Sequence, residues 1–289
     1  MLPGMAVKAR IAIVGAGNLG AALAVSLRDA GLVVDTLVAH SRQSLWKARK
    51  VARGIAARAT VDPVQIKAEW IWLCMPDSEI ARAAAELAEQ LSWKGRVALH
   101  SSGALTSDIL NPLRRRGAAV ASVHPLMTFV RNSLPSLTGV PFAIEGDPIA
   151  VRVARRIVGN LGGKPFSIQK KDKAAYHAWG MFASPLLAAL LATTEEVATI
   201  AGIGRKTGRE RVMPILRQTL ENYASVGAPD AFTGPIIRGD VDTVRRHLRV
   251  LKGAPAVYEV YIALARAALQ YLPAKNKSAL KRVLASGRR

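Results

Sequence analysis

Through about residue 170, short apolar runs alternate with stretches whose apolar positions recur at helical spacing; beyond that point only the helical spacing remains. Residues 11–14 are continuously apolar and run into a glycine turn, after which Leu19, Leu23, Ser26 and Leu27 recur as on one helix face until Gly31. A second strand is expected at 32–39, a basic helix at 43–57, and a short strand at 60–61 broken by Asp62-Pro63. The nearly unbroken apolar run 70–75 reads as a central parallel strand, because such strands are buried on both faces. It ends at Pro76-Asp77-Ser78, where Asp77 or Ser78 is placed to cap a helix carrying Ile80, Ala84, Leu87 and Leu91. Further strands are expected at 97–99, 120–123, 141–145 and 165–169, with a helix at 148–161. This alternation predicts a doubly wound α/β sheet.

From Asp172 the pattern predicts one long Ala- and Leu-rich helix reaching residue 201, in which Pro185 should produce a kink. More helices are expected at 206–226, 240–251, 254–272 and 277–284. The switch predicts two domains: a dinucleotide-binding sheet domain over 1–170 and an all-helical domain over 171–289, the latter for substrate binding or dimerisation. A ligand crevice is expected at the carboxyl ends of the strands.

The glycine turn is the strongest chemical signal. Gly15, Gly17 and Gly20 stand between a strand pattern and a helix pattern. Gly15 permits a tight turn, Gly17 lets the backbone approach a pyrophosphate, and Gly20 lets helix and strand pack closely. The helix start then offers unpaired N–H groups to phosphate. About 20 residues further on, a site for NAD calls for an acid on the ribose hydroxyl. Asp35 lies too early, inside the strand, and Ser41 and Arg42 occupy the expected place. A hydroxyl and a guanidinium suit a ribose phosphate, so NADP is the expected cofactor. The expected cofactor-binding set is Gly15, Gly17, Asn18, Leu19, Gly20, Ser41 and Arg42, with Met75 and Pro76 after the central strand.

Composition narrows the classes. Half of the 289 residues are hydrophobic, which argues against global disorder. The longest apolar stretch, 185–192, is far short of a bilayer span, and no signal segment precedes the first strand, so a cytoplasmic protein without a membrane partner is expected. The single cysteine, Cys74, lies in an apolar run and reads as an inert core residue; no metal site is expected. A net charge of +21 invites a polyanion partner. The basic residues are, however, dispersed, with few aromatics among them and no nucleic-acid motif, so the reading is a solvated basic surface.

Three polar clusters fall where a crevice would open. In His100-Ser101-Ser102-Gly103, small residues let a ring approach the backbone, and the hydroxyls of Ser101 and Ser102 can hold a carbonyl or carboxylate; the same residues also make an ordinary capped turn. In Ser122-Val123-His124-Pro125, a histidine just past a strand is placed for proton transfer, with Pro125 restricting its backbone. In Lys173-Ala174-Ala175-Tyr176-His177, Lys173 shares a helix face with Tyr176 and His177, and burial would make its amine a usable acid or base.

These motifs, with Leu73-Cys74-Met75-Pro76-Asp77 and the later run Thr233-Gly234-Pro235-Ile236-Ile237-Arg238-Gly239-Asp240, resemble a Rossmann-like family of candidate NADP oxidoreductases. Members carry a helical second domain of unknown function. The architecture is more distantly similar to beta-hydroxyacid dehydrogenases, pyrroline-5-carboxylate reductase and prephenate dehydrogenase. Lys173 matches the substrate lysine of the first group, but His177 stands where its asparagine would be, and Ala183-Ser184-Pro185 replaces an expected Ser-Asn. His124-Pro125 resembles the His-Pro of prephenate dehydrogenases. The resemblance implies hydride transfer between NADP and a small carbonyl/alcohol or imine/amine substrate. His124 or Lys173 would move the proton, Ser101, Ser102 and His177 would orient the substrate, and the protein would be a homodimer. Three alternatives stay open: a prephenate-type dehydrogenase using His124, a deazaflavin as second redox partner, and a dinucleotide-binding sensor or scaffold without catalysis.

Overall fold

The computed structural model describes residues 9–131 and 133–286. The chain divides into two compact units, one reaching to Phe182 and one beginning at Ala183. Among the described residues of the first unit, eight strands form one sheet: β1 (Arg10–Val14), β2 (Val33–Val38), β3 (Arg58–Thr60), β4 (Trp70–Leu73), β5 (Val97–His100), β6 (Ala119–Pro125), β7 (Pro141–Gly146) and β8 (Lys164–Ser167). Their order is β3-β2-β1-β4-β5-β6-β7-β8. Pairing is parallel from β3 through β6, β7 runs antiparallel to β6, and β8 is parallel to β7. The direction of winding reverses between β1 and β4, the place where doubly wound sheets open a crevice.

The apolar strand runs follow from burial on both faces. Ile11 and Ile13 enter one core cluster with Trp72, while Ala12 and Val14 enter a second with Ile71 and Leu73. Side chains alternate across a strand, so a strand covered on both sides has no position left for a polar residue. The covering helices are α1 (Asn18–Asp29), α2 (Leu45–Gly54), α3 (Asp77–Gln90), α4 (Asn111–Arg115) and α5 (Pro148–Asn160). Neither proposed cap of α3 holds: the N-cap position is Pro76, without a side-chain cap. The Asp77 carboxylate instead accepts a bond from Ser102 Oγ at 2.8 Å.

The long helix expected over 172–201 is two helices, α6 (Lys173–Ala183) and α7 (Pro185–Ile200), separated by Ser184 at φ −133° and ψ −76°. Pro185 explains the break: its ring pushes the preceding residue out of the helical region and supplies no N–H for the next turn. By length and composition alone, Lys170–Ile200 could cross a membrane. That differs from the expected shortness of the apolar stretch, but the run is interrupted at Ser184 and carries a buried lysine at its start. The division at Phe182 also leaves nearly all of α6 with the sheet, twelve residues beyond the expected boundary at 170.

The second unit contains α7, α8 (Arg205–Ala231), α9 (Pro235–Arg238), α10 (Val241–Leu251), α11 (Pro255–Tyr271) and α12 (Lys277–Ser286). Helix α8 kinks at Gly227, where φ is +76°. Val244, Leu248, Ile262, Leu269, Leu280 and Leu284 form the core of this unit, drawn from α10, α11 and α12.

Candidate active site

Two features lie at the carboxyl edge of the sheet. The first is the glycine turn between β1 and α1. A side chain at Gly15 would place Cβ 2.4 Å from the Cys74 carbonyl oxygen, and one at Gly20 would meet the Gly15 carbonyl oxygen at 1.9 Å. Gly15 also has φ +102°, a region that glycine alone enters without penalty. Among the described residues, nothing stands within 4 Å of the corresponding position at Gly17. The turn is therefore closed against β4 and α1 but open where a ligand would approach. No side chain caps α1, and its first turn holds no acid, so the leading N–H groups are free of a competing carboxylate. Among the described residues, the shape and donor set fit a dinucleotide pyrophosphate.

The other predicted cofactor residues have mixed surroundings. Asn18 donates from Nδ2 to the Phe129 carbonyl at 3.1 Å, which ties the turn to the segment after β6. Leu19 and Met75 pack against opposite core clusters, and Pro76 is exposed at the start of α3. Ser41 N donates to Ser44 Oγ at 3.0 Å, and the two hydroxyls lie 3.3 Å apart, closing the turn into α2. Arg42 is exposed. Asp35 is held inside the sheet by Thr36 Oγ1 at 2.8 Å and Arg58 at 3.3 Å.

The second feature is a polar cluster assembled from β5, β6 and α6. Alternation along β6 puts Ser122 and His124 on one face. Along α6 the three-residue step from Lys173 to Tyr176 rises about 4.5 Å, against about 6.6 Å for the two-residue step from Ser122 to His124, close enough for long side chains on the helix to reach both strand positions. Lys173 Nζ donates to Ser122 Oγ at 2.5 Å and to the Ser102 carbonyl at 3.0 Å. Tyr176 OH lies 2.7 Å from His124 Nδ1. The His177 ring stands edge-on to His124, 6.3 Å between centroids. Opposite both rings is Gly103, where a Cβ would lie 2.7 Å from His177 Cδ2 and 2.9 Å from His124 Nε2. The missing side chain is the space between them.

Burial sets the protonation states. Lys173 is 1 % exposed. Its amine is lowered to about 8 by desolvation, against which Glu145 and Asp77 pull upward. His124 is lowered to about 4 by burial, then by the Lys173 and His177 charges. His100 is lowered to about 3, mainly by burial and then by Lys173. Its Nδ1 accepts from Ser102 N at 3.1 Å and its Nε2 faces the Thr106 carbonyl at 3.2 Å, which places its proton on Nε2. At ordinary pH the His124 imidazole is neutral, and the Lys173 amine is the group whose pKa lies near that range.

Of the sequence-predicted chemical residues, His124, Lys173 and His177 converge, and the two serines do not present free hydroxyls. Ser101 Oγ receives the Trp72 indole N–H at 2.8 Å and sits 3.9 Å from Cys74 Sγ. Ser102 Oγ donates to Asp77 and accepts from the Ala104 and Leu105 amides at 3.2 and 2.9 Å. Ser102 is held by the backbone amides that a turn at a strand end leaves for a nearby hydroxyl, and Ser101 by a buried indole. Three participants were not assigned roles from sequence: Ser122, Tyr176 and Gly103. Period-two spacing with His124 was the available signal for Ser122, and three-residue spacing with Lys173 was that for Tyr176. Cys74 is buried with its thiol pushed up to about 12, as befits an inert core residue.

Residues 5–125 match the model of a Rossmann-like domain, and residues 140–268 match that of a domain of unknown function, DUF2520. No curated protein matches the chain. Among solved structures, the chain is similar to a candidate NADP oxidoreductase from Bacteroides fragilis at TM-score 0.76 and 21 % identity, covering 90 % of this chain and 97 % of that one. A reductive aminase from Aspergillus terreus, solved with NADPH and ethyl-5-oxohexanoate, aligns at TM-score 0.67 and 13 % identity over 96 % and 99 % of the two chains. A pyrroline-5-carboxylate reductase from Coxiella burnetii aligns at TM-score 0.58 and 14 % identity over 97 % and 98 %. At these identities the likeness is one of fold. The chain joins a Rossmann-like domain to a DUF2520 domain.

Proposed function

We propose that this protein is an NADP-dependent oxidoreductase that moves hydride between the cofactor and a small carbonyl/alcohol or imine/amine pair. The observation that carries the reading is the coexistence, on one sheet edge, of an open phosphate turn at Gly17 and a buried Lys173–His124 cluster around the Gly103 gap. The bound nicotinamide would supply or receive the hydride. Gly15, Gly17 and Gly20 would cradle the pyrophosphate, with Ser41 and Arg42 on the adenosine ribose phosphate. Lys173 would exchange the proton and His124 would bond the substrate, with Gly103 and the carbon edge of His177 shaping the space. The fold likeness to enzymes named as a reductive aminase and a pyrroline-5-carboxylate reductase supports the general class.

The test is a screen of NADPH consumption with small ketones, oxo acids and cyclic imines, followed by Lys173→Met and His124→Ala on any substrate found. Each variant should lower turnover while leaving NADPH affinity within a few-fold. Loss of NADPH binding in both would show that these residues hold the dinucleotide or the fold. Turnover that survives Lys173→Met but not His124→Ala would favour the prephenate-type reading. Tight NADPH binding with no turnover on any carbonyl or imine would favour the sensor or scaffold.

The helical unit supports a homodimer. Helix α7 is apolar yet has no buried residue, and α8 exposes Met213, Ile215, Leu220, Tyr223 and Val226. Exposed apolar side chains on this scale are commonly covered in obligate dimers. Sedimentation should give twice the chain mass, and Leu220→Glu should shift the equilibrium toward monomer.

A further inference from the structure

The sequence leaves open whether His124 or Lys173 exchanges the proton, and the hydrogen bonding of Tyr176 bears on that choice. The phenol has one proton to donate, and His124 Nδ1, 2.7 Å away, is its hydrogen-bond partner among the described residues. If Nδ1 carried a hydrogen and donated to the phenol oxygen, the phenolic proton would need a second acceptor, and the described residues supply none. Tyr176 is 7 % exposed, so water is a poor substitute. The bond therefore runs from Tyr176 OH to the Nδ1 lone pair. A neutral imidazole with a lone pair on Nδ1 carries its proton on Nε2. Nε2 is the nitrogen that faces the Gly103 gap.

We propose that Tyr176 is a positioning residue that fixes His124 as the Nε2–H tautomer, so that His124 presents a neutral hydrogen-bond donor to an acceptor oxygen of the substrate across the Gly103 gap. This rests on the reading of the cluster as a substrate site and deepens it. A donor already carrying its proton on the substrate side cannot accept one there, which under the proposed function leaves Lys173 as the candidate for proton exchange. An acceptor oxygen, whether of a carbonyl or a carboxylate, completes the bond, whereas a protonated iminium nitrogen offers no lone pair. Neutrality of the ring is consistent with its surroundings: Lys173, His177 and His100 face it, and burial with the first two of these holds it low, near 4. Phenol burial likewise pushes Tyr176 up to about 12 and keeps its proton in place.

The test is nitrogen NMR of the full chain labelled with ¹⁵N-histidine at pH 7.5, without cofactor or substrate. There are five histidines, and His124→Asn identifies the resonance pair of residue 124. The expected wild-type result is a protonated Nε2 and an unprotonated, hydrogen-bonded Nδ1. In Tyr176→Phe the Nδ1 resonance should move and a fraction of Nδ1–H should become detectable. Where that variant fails to fold, 3-fluorotyrosine incorporation strengthens the phenol as a donor and should displace the Nδ1 resonance in the opposite sense. A wild-type His124 protonated on Nδ1, or an Nδ1 resonance indifferent to both changes, would overturn the proposal. The readout needs no turnover, so a protein with the expected tautomer and no oxidoreductase activity would refute the proposed function and leave the tautomer standing.

Discussion

Replacing Lys173 by methionine should abolish the proton exchange yet leave the sheet unit as stable as before, or more so, in a manner that depends on pH. The amine titrates at 10.5 when free and near 8 in the folded protein. The unfolded chain therefore binds a proton that the folded chain has released between those values, and wild-type stability rises with pH across that window. Below pH 8 the full cost of burying the ammonium is present. The gap of about 2.5 units corresponds to about 3 kcal/mol. Methionine is of similar length, carries no charge and escapes that cost. It loses two hydrogen bonds, worth about 1 kcal/mol each, but Ser122 Oγ still donates to the Ser102 carbonyl at 3.2 Å, so that carbonyl keeps a partner. At pH 7 the variant should be stabilised by about 1 kcal/mol, and by pH 10.5 it should be the less stable protein.

Tryptophan fluorescence isolates the relevant unit, because Trp46, Trp70, Trp72, Trp93 and Trp179 all precede Ala183. Urea unfolding followed by this signal, at fixed protein concentration and at several pH values from 7 to 10.5, gives the difference between the two proteins. The other titrating groups are shared, and His100 and His124, which feel the Lys173 charge, are neutral across this range. A difference that stays constant over the whole range would mean that the amine is hydrated and titrates at its ordinary place, and the burial argument for its chemistry would fail.

Other expectations follow from the same geometry. Arg42→Ala should weaken NADP binding by about tenfold, the scale of one charge-assisted hydrogen bond, and leave NAD binding unchanged in calorimetry; equal losses for both cofactors would remove Arg42 from the ribose phosphate. Gly17→Ala should cost the apo protein no more than about 1 kcal/mol, since no described residue lies within 4 Å of the new methyl group, while dinucleotide affinity collapses. Gly103→Ala should destabilise by about 1–3 kcal/mol, because its methyl would press on the rings of His124 and His177. On the acid side, His100 and His124 protonate near 6.5 when unfolded but only near 3 and 4 when folded, so stability should fall as pH drops from 6.5 toward 4, by about 2.5 kcal/mol per unit near pH 5. His100→Asn, with its tryptophan-detected transition followed over the same range, should roughly halve that slope.

How much of this was legible depends on the range of each interaction. The strands could be read because residues such as Ile71, Trp72 and Leu73 must all be apolar when both faces are buried, a constraint local to the strand. The glycine turn was legible because Gly15 and Gly20 answer to contacts within one strand, turn and helix, plus β4. The serines were harder. Ser101 and Ser102 differ from Ser122 only in what lies across the sheet: an indole, a carboxylate and an ammonium contributed from 29, 25 and 51 residues away. No window of sequence shows which hydroxyl is engaged. The single helix expected over 172–201 failed at Ser184 for the opposite reason, since the local rule for a residue before proline was available and proved stronger there than a simple kink.

The domain boundary carries the last lesson. A cut at residue 170 follows from where strands stop, and it assigns Lys173, Tyr176 and His177 to the helical part. The DUF2520 match begins at residue 140, at β7, whereas the Rossmann-like match ends at 125, the last residue of β6. The site bridges that seam. Its strand residues, His100, Ser122 and His124, precede residue 125, and its helix residues follow 140. The antiparallel return of β7 beside β6 and the parallel addition of β8 leave the chain positioned so that α6 can run along β6, with Lys173 at Ser122 and Tyr176 at His124. A parallel crossover in place of β7 would reverse the direction in which the chain leaves the sheet. The pairing of β7 with β6 is thus the feature on which the assembly of this cluster depends, and a division of the protein after residue 125 or 170 would separate Lys173 and Tyr176 from Ser122 and His124, which they contact.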